Sequence, residues 1–152
     1  IGLRMNNLLS RRLSLVICIL MGATHAQFTS ADESVRLSPC PDSPNCVSSQ
    51  STDEAHLIEP LHYSGSLADA RQKLTAILED MNRVRLAKVE TDYIHAEFRS
   101  SVFRFVDDVE FWFPPDKPII HVKSASRKGY YDFGANRRRV ERLREAFEKL
   151  GK

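Results

Sequence analysis

The sequence FRFVDDVEFWF, residues 103–113, decides the fold class because its apolar and polar side chains largely alternate. A period of two is typical of a β-strand that buries one face and leaves the other in contact with water. Pro114 and Pro115 then end the strand, since proline cannot donate to a strand ladder. Asp107 breaks the pattern, because strict alternation places its carboxylate on the apolar face. We therefore predict a β-bulge around Asp107 and Asp108, which would resolve the conflict.

The segments on either side of this strand complete the pattern of an α+β domain. Apolar side chains at helical spacing predict a helix over residues 67–81, which Ser66 begins as the N-cap. A second helix is predicted from Asp132 or Asn136 to Leu150. Three further alternating runs predict strands at residues 84–89, 94–99 and 119–126. This order predicts an antiparallel sheet of about four to five strands with two main helices packed on one face.

Residues 38–152 are predicted as a single α+β domain, because 152 residues leave little room for two domains. The first part of this domain, residues 38–65, is rich in turn residues and is predicted as a long ordered loop. Cys40 and Cys46 enclose two prolines, which favour a turn and bring the thiols within bridging range. We predict a disulfide that pins the loop. A redox-active or metal-binding pair is the alternative, although the thioredoxin-like spacing and a second cysteine pair are both lacking.

The N-terminal segment, residues 1–26, has the pattern of a secretory signal. Two arginines precede an apolar run at residues 13–23, and Ala26 offers a cleavage site. This run is shorter than the roughly 20 residues that an ordinary membrane-spanning helix needs. The pattern predicts a periplasmic or otherwise exported protein, in which residues 27–37 form a flexible lead-in. The alternative is membrane attachment by an uncleaved N-terminal segment, and we expect no other contact with the membrane.

The charge balance argues against nucleic acid as a partner. The chain has a formal charge of +2, but residues 27–152 hold 19 basic and 20 acidic side chains. A whole-protein basic surface of the kind that nucleic-acid-binding proteins present is therefore absent from the sequence. Nucleophilic catalysis also has little support, because the sequence contains neither a Gly-x-Ser-x-Gly motif nor a glycine-rich phosphate loop.

A dense basic stretch lies near the start of the last predicted helix. Between Lys123 and Arg144 there are eight basic side chains and only two acidic ones. Positive charge is unfavourable at a helix N-terminus, so a counter-charge is expected. It comes either from the chain's own Asp107, Asp108 and Glu110, as an internal lock, or from a bound anion. The anion site would consist of Ser124, Ser126, Arg127, Tyr130, Asp132, Asn136 and Arg137.

The polar face of the predicted sheet supplies weak catalytic candidates. They are side chains capable of acid–base chemistry on three alternating strands: His95, Glu97, Glu110 and His121. If the strand faces coincide, the same residues form a possible metal set. None of their spacings is diagnostic of metal ligation, so we predict no metal and no cofactor.

Three motifs together resemble the bacterial domain of unknown function 1499 family (DUF1499). They lie at residues 40–49, 105–111 and 124–139, and the resemblance covers about residues 38–150. The resemblance implies no established activity or ligand. It does imply an exported or envelope-associated protein, in agreement with the N-terminal pattern.

These observations favour a non-catalytic module of the cell envelope. Its expected partner is an anionic or amphipathic ligand, such as a small molecule or a lipid head group, or else a protein of the envelope. One alternative is a small hydrolase or isomerase that acts on an envelope metabolite. A purely structural assembly factor is the other.

Overall fold

The computed structural model describes residues 37–101 and 104–150, which form six strands and two helices. The strands are β1 (Cys46–Ser48), β2 (Leu61–His62), β3 (Val84–Val89), β4 (Tyr93–Arg99), β5 (Val106–Trp112) and β6 (Ile119–Ser126). The helices are α1 (Leu67–Asp80) and α2 (Ala135–Lys149). The predicted signal segment and most of the predicted lead-in lie outside the described residues, but Leu37 is described and is buried.

The described strands form an antiparallel sheet in the order β1-β6-β5-β4-β3, and β2 pairs with the start of β6. Helix α1 packs against β3, helix α2 packs against β6, and the two helices contact each other. Both helices contribute to one apolar core on the same face of the sheet. The predicted α+β class is confirmed, with slightly more strands than expected.

Strands β1 and β2 lie in the segment that was predicted as a loop, and that prediction was wrong at these two places. Their three and two residues are too few to show an alternating pattern. Their extended geometry comes instead from pairing with β6. The predicted disulfide between Cys40 and Cys46 is confirmed, with Cα atoms 5.7 Å apart, and it fixes the entry into β1.

Alternate strand positions supply the core. Ile94, Phe111 and Val122 lie side by side across β4, β5 and β6 and are fully buried. Burying a side chain of this size stabilises the fold by about 1.5–3 kcal/mol. The helices cover this row with the buried side chains Ala70, Leu74, Ile77, Leu78, Val140, Leu143 and Phe147.

Strand β5, all of whose residues are described, contains no bulge, so the predicted bulge at Asp107 and Asp108 was wrong. The register of β5 is continuous with β4 on one side and β6 on the other. Asp107 therefore points toward the helices, where it is buried and paired with Arg139. The register shift in this sheet occurs in β3, between Leu86 and Lys88.

One end of the sheet collects four strand ends, since β3 and β5 begin there and β4 and β6 finish there. We call it the arginine end, because Arg83, Arg99 and Arg104 all lie in it. In the described part of the chain, three non-glycine residues have positive φ: Arg83 at 65°, Arg104 at 54° and Phe133 at 53°. Each such conformation costs an L-residue about 1–2 kcal/mol. Backbone strain in the described residues is thus confined to the loops at this end.

Candidate functional site

Four of the seven predicted ligand-binding residues meet in a buried polar node at the start of α2. Asn136 is fully buried, and its side-chain carbonyl accepts from the Ser124 hydroxyl at 2.6 Å. Its amide donates to the Ser126 hydroxyl at 3.0 Å and to the Asp132 carboxylate at 2.8 Å. The same carboxylate accepts the backbone N–H groups of Gly134 and Asn136, both at 2.8 Å. Asp132 therefore supplies negative charge at the helix start, where an anionic ligand was predicted.

Arg137, the predicted ligand-binding arginine of α2, lies apart from this node. Arg137 donates to the backbone carbonyls of Leu57 and Ala55 at 2.8 and 3.0 Å, which ties the helix to the loop between β1 and β2. Arg138 contacts a different segment from Arg137 and donates to the carbonyl of Phe133 at 2.8 Å. Consecutive helical residues diverge by about 100°, so the three arginines of this run have separate partners.

Arg139 was not among the predicted ligand-binding residues, and its contact with Asp107 is the internal lock that the sequence offered as the alternative. It forms an ion pair with Asp107, and it also donates to Ser124 at 2.9 Å and to Asn136 at 2.5 Å. Its guanidinium lies 5.1 Å from the centre of the Phe98 ring, a cation–π contact. One signal was present in the sequence: an acid on the apolar face of a strand requires a basic partner from the element that covers it.

Arg127 lies on the opposite, helix-free face of the sheet. It donates two hydrogen bonds to the Asp108 carboxylate and one to Glu97, each of 2.7 Å. Arg85 approaches Glu97 from the neighbouring strand at 2.8 Å, and His95 lies 2.6 Å from Asp108. The result is a continuous chain of alternating charges across β3, β4 and β5.

These contacts change the acidity of both carboxyl groups. Hydrogen bonds from Arg127, followed by one from Arg85, lower the pKa of Glu97. Hydrogen bonding from Arg127 likewise lowers the pKa of Asp108, with a smaller contribution from His95. Both carboxylates raise the pKa of Arg127 in turn. A carboxylate held ionised in this way is a poor general acid.

Glu110 and His121 lie further along the same face. Glu110 accepts from the Tyr93 hydroxyl at 2.6 Å and lies 3.6 Å from the Lys123 ammonium. The ring of His121 stacks on Trp112, with ring centres 5.4 Å apart. Burial and the nearby charge of Lys117 lower the pKa of His121. His121 is therefore neutral at pH 7.

The four catalytic candidates thus share a face, but charged neighbours already bind two of them. His95 contacts Asp108 and Glu97 contacts Arg127, so neither is poised for proton transfer to a substrate. Among the residues that the structure describes, no group of three or more His, Cys, Asp or Glu side chains is arranged to hold a metal ion.

Tyr130, the seventh predicted ligand-binding residue, belongs to a loop between β6 and α2. We call residues 127–134 the aromatic loop, because Tyr130, Tyr131 and Phe133 leave 60%, 67% and 87% of their surfaces exposed. The two tyrosine rings meet edge to face with centres 4.8 Å apart. Exposure of three large rings in four residues is unusual for a water-soluble surface, which makes this loop the best candidate for a binding surface.

The fold and this surface define a class: a small α+β domain with a polar open sheet face and one exposed aromatic loop. Residues 36–147 match the family model described as protein of unknown function (DUF1499), and the chain belongs to that family. No curated protein matches the chain significantly. Within residues 37–101 and 104–150, no helix has the length and apolar character needed to cross a bilayer.

Proposed function

We propose that the protein is a non-catalytic module of the cell envelope that binds an anionic lipid surface through its aromatic loop, a membrane contact that the sequence analysis did not predict. The observation that carries this proposal is the exposure of Tyr130, Tyr131 and Phe133 within four residues. Aromatic side chains are favoured at the boundary between lipid and water, where the ring is buried and a polar tip stays hydrated.

The chain holds the aromatic loop in place at both ends, which supports a binding role. The Asn45 side chain donates to the Gly129 carbonyl at 2.5 Å. At the other end of the loop, the Asp132 carboxylate accepts the Gly134 N–H just before α2. Arg138 donates to the carbonyl of Phe133, which keeps a strained φ of 53° and an exposed ring. A loop that is already ordered loses little conformational freedom when it binds.

The charges near the rings favour an anionic surface. Lys128 precedes Tyr130 by two residues in the sequence and is exposed. The acid in this loop, Asp132, uses its carboxylate on the start of α2. Basic side chains next to exposed rings are the usual combination in proteins that bind anionic membranes peripherally.

The predicted export supports the same proposal, since an exported protein meets the membrane surface as its neighbour. The alternative of a small hydrolase or isomerase has less support, because Arg127 and Asp108 already bind the candidate residues Glu97 and His95. A partner protein in the envelope would be recognised by the same rings and is tested as the competing outcome.

A vesicle flotation experiment tests the proposal. The protein of residues 27–152 is mixed with vesicles of phosphatidylglycerol and phosphatidylethanolamine, or with vesicles of neutral phosphatidylcholine. We expect flotation with the anionic vesicles, and loss of most of it in the double variant Tyr130→Ser/Phe133→Ser. The matched control is Val89→Ser, which also removes an exposed apolar side chain but lies at the end of β3 that is away from the arginine end. We expect this variant to float as the wild type does.

Two results would contradict the proposal. One is a wild-type protein that floats with neither vesicle, which favours a protein partner instead. The other is a double variant that floats as well as the wild type. Circular dichroism and thermal unfolding of each variant separate loss of binding from loss of fold.

A further inference from the structure

A second surface at the arginine end of the sheet differs from every basic cluster described above. It is a cleft of about 360 Å³ where β4 ends and the loop to β5 begins. We call it the arginine cleft; its lining residues are Arg83, Arg99, Ser100, Ser101 and Arg104. An adjoining cleft of about 290 Å³ is also lined by Arg83 and Arg99.

The arginines of this cleft lack protein partners. In residues 37–101 and 104–150, the guanidinium groups of Arg83, Arg99 and Arg104 form no hydrogen bond or ion pair with a side chain or carbonyl. Arg127 on the sheet face and four of the five arginines of α2, in contrast, contact acids or carbonyls of the chain itself: Arg137, Arg138, Arg139 and Arg144. Of the described residues, Arg142 of α2 is also unpaired, but it stands alone, whereas three unpaired arginines line this one cleft.

The arginine cleft also lacks acidic side chains among its described lining residues. The nearest acid in the adjoining cleft is Glu97, and Arg85 and Arg127 already neutralise it. The three exposed guanidinium groups that line this cleft repel one another weakly in water, and an anion bound between them would remove that repulsion.

Backbone geometry supports a functional reason for the arrangement. Arg83 and Arg104, which both line the cleft, have positive φ, which glycine or asparagine would adopt more easily. The backbone is nevertheless fixed, because the Arg83 carbonyl accepts from the Arg99 N–H at 3.0 Å. Strained residues that the surrounding structure holds in place are concentrated at binding sites.

The chemistry of the lining residues indicates the class of ligand. A guanidinium group presents a planar pair of N–H donors that matches two oxygens of a phosphate or carboxylate. Three such groups supply more charge and more donors than one carboxylate can use. The Ser100 hydroxyl accepts the Phe105 N–H at 3.0 Å, which leaves its hydrogen available for an anion oxygen. A phosphate group, with several oxygens and up to two negative charges, satisfies this donor set.

We infer that the arginine cleft binds a phosphate group, supplied either by a lipid head group or by a soluble phosphate compound. The site stands apart from the proposed membrane contact, because none of its residues belongs to the aromatic loop. The aromatic loop follows β6, which ends at the arginine end, so the loop and the cleft start from the same end of the sheet.

Titration with soluble anions tests the cleft without any membrane. Inorganic phosphate and glycerol phosphate are titrated into the protein of residues 27–152 at low salt, and binding is followed by calorimetry and by amide chemical shifts. We expect saturable binding, with the shifts centred on Ser100 and Ser101. The double variant Arg99→Gln/Arg104→Gln should bind at least about tenfold more weakly. Arg142→Gln, which removes an exposed arginine of α2, should bind as the wild type does.

Three results would overturn the inference: no saturable binding by the wild type, equal binding by the double variant, or equal weakening by Arg142→Gln. The last would show a general charge effect rather than a site. Flotation with anionic vesicles then identifies the source. Loss of flotation in the double variant assigns the phosphate to a lipid head group, and unchanged flotation with impaired titration assigns it to a soluble compound. The proposed membrane contact fails separately, through the tyrosine and phenylalanine variants.

Discussion

Arg139 of α2 reaches across to Asp107 of β5 and forms an ion pair that is about nine-tenths buried on both sides. The pair joins the last helix to the middle of the sheet. It also extends the polar node, because Arg139 donates to Ser124 and Asn136 as well. A strand that carries an acid on its apolar face is thus compatible with a packed core.

Replacing one member of this pair should destabilise the protein strongly. Asp107→Asn leaves the buried guanidinium of Arg139 without a counter-charge, and we expect a loss of about 3 kcal/mol in the free energy of unfolding. Urea unfolding monitored by circular dichroism measures the change. The double variant Asp107→Val/Arg139→Met removes both charges and should recover most of this loss, because a buried ion pair is often matched by apolar packing. A double variant less stable than Asp107→Asn would contradict this account.

The strain at Phe133 predicts a gain in stability. Phe133→Gly relieves the positive φ of 53° at a position where the ring is 87% exposed, so we expect about 1 kcal/mol of added stability. Thermal and urea unfolding measure it. Phe133→Ala is the control, since alanine keeps the strained backbone and should change stability by less than about 0.5 kcal/mol. Equal stability of the glycine and alanine variants would show that the backbone is not strained there.

The charge chain on the open sheet face predicts a loss of stability in acid. Because Arg127 lowers the pKa of Glu97 and Asp108 in the folded state, the unfolded chain binds protons first as the pH falls. The stabilisation is complete above the ordinary pKa values of 4.5 and 3.8 and is lost as the pH falls through the lowered ones.

Arg127→Gln tests this pH dependence. Unfolding in urea between about pH 6 and about pH 3 should show a smaller acid-induced loss in the variant than in the wild type. Arg142→Gln, which changes net charge equally at an exposed position of α2, should keep the wild-type dependence. Parallel curves for Arg127→Gln and the wild type would remove Arg127 as the cause.

The disulfide predicts a modest dependence on redox conditions. Closing a loop with a sequence separation of 6 residues stabilises a fold by about 2 kcal/mol on the chain-entropy account. We expect reduction to lower the unfolding midpoint by a corresponding amount. The variant Cys40→Ser/Cys46→Ser should resemble the reduced protein and be insensitive to reductant. A wild-type midpoint that reductant leaves unchanged would show that this bond contributes nothing measurable.

Much of the fold was predictable because it depends on local periodicity. The apolar side chains of α1, after Ser66, recur at helical spacing over several turns. In β4 and β6, apolar and polar side chains alternate along the strand. Patterns of this length identify the helix and the strands without ambiguity. The disulfide was predictable for a similar reason, since Cys40 and Cys46 are close in the chain. Strands β1 and β2 were not predictable, because segments this short become strands only when β6 is available to pair with them.

The candidate sites show where local pattern stops being informative. The sequence alone determined the α+β class, the cysteine pair, and the presence of more arginine than acid near α2. Only the tertiary structure decided which guanidinium groups are neutralised. Arg139 pairs with Asp107, which is distant from it in the sequence. Arg83, Arg99 and Arg104 instead line one cleft whose described lining contains no acid. The physical reason is that charge pairing acts through space over a few ångströms. The partner of a charged side chain is therefore set by how the helices and strands pack, and the residues next to it in the sequence do not determine it.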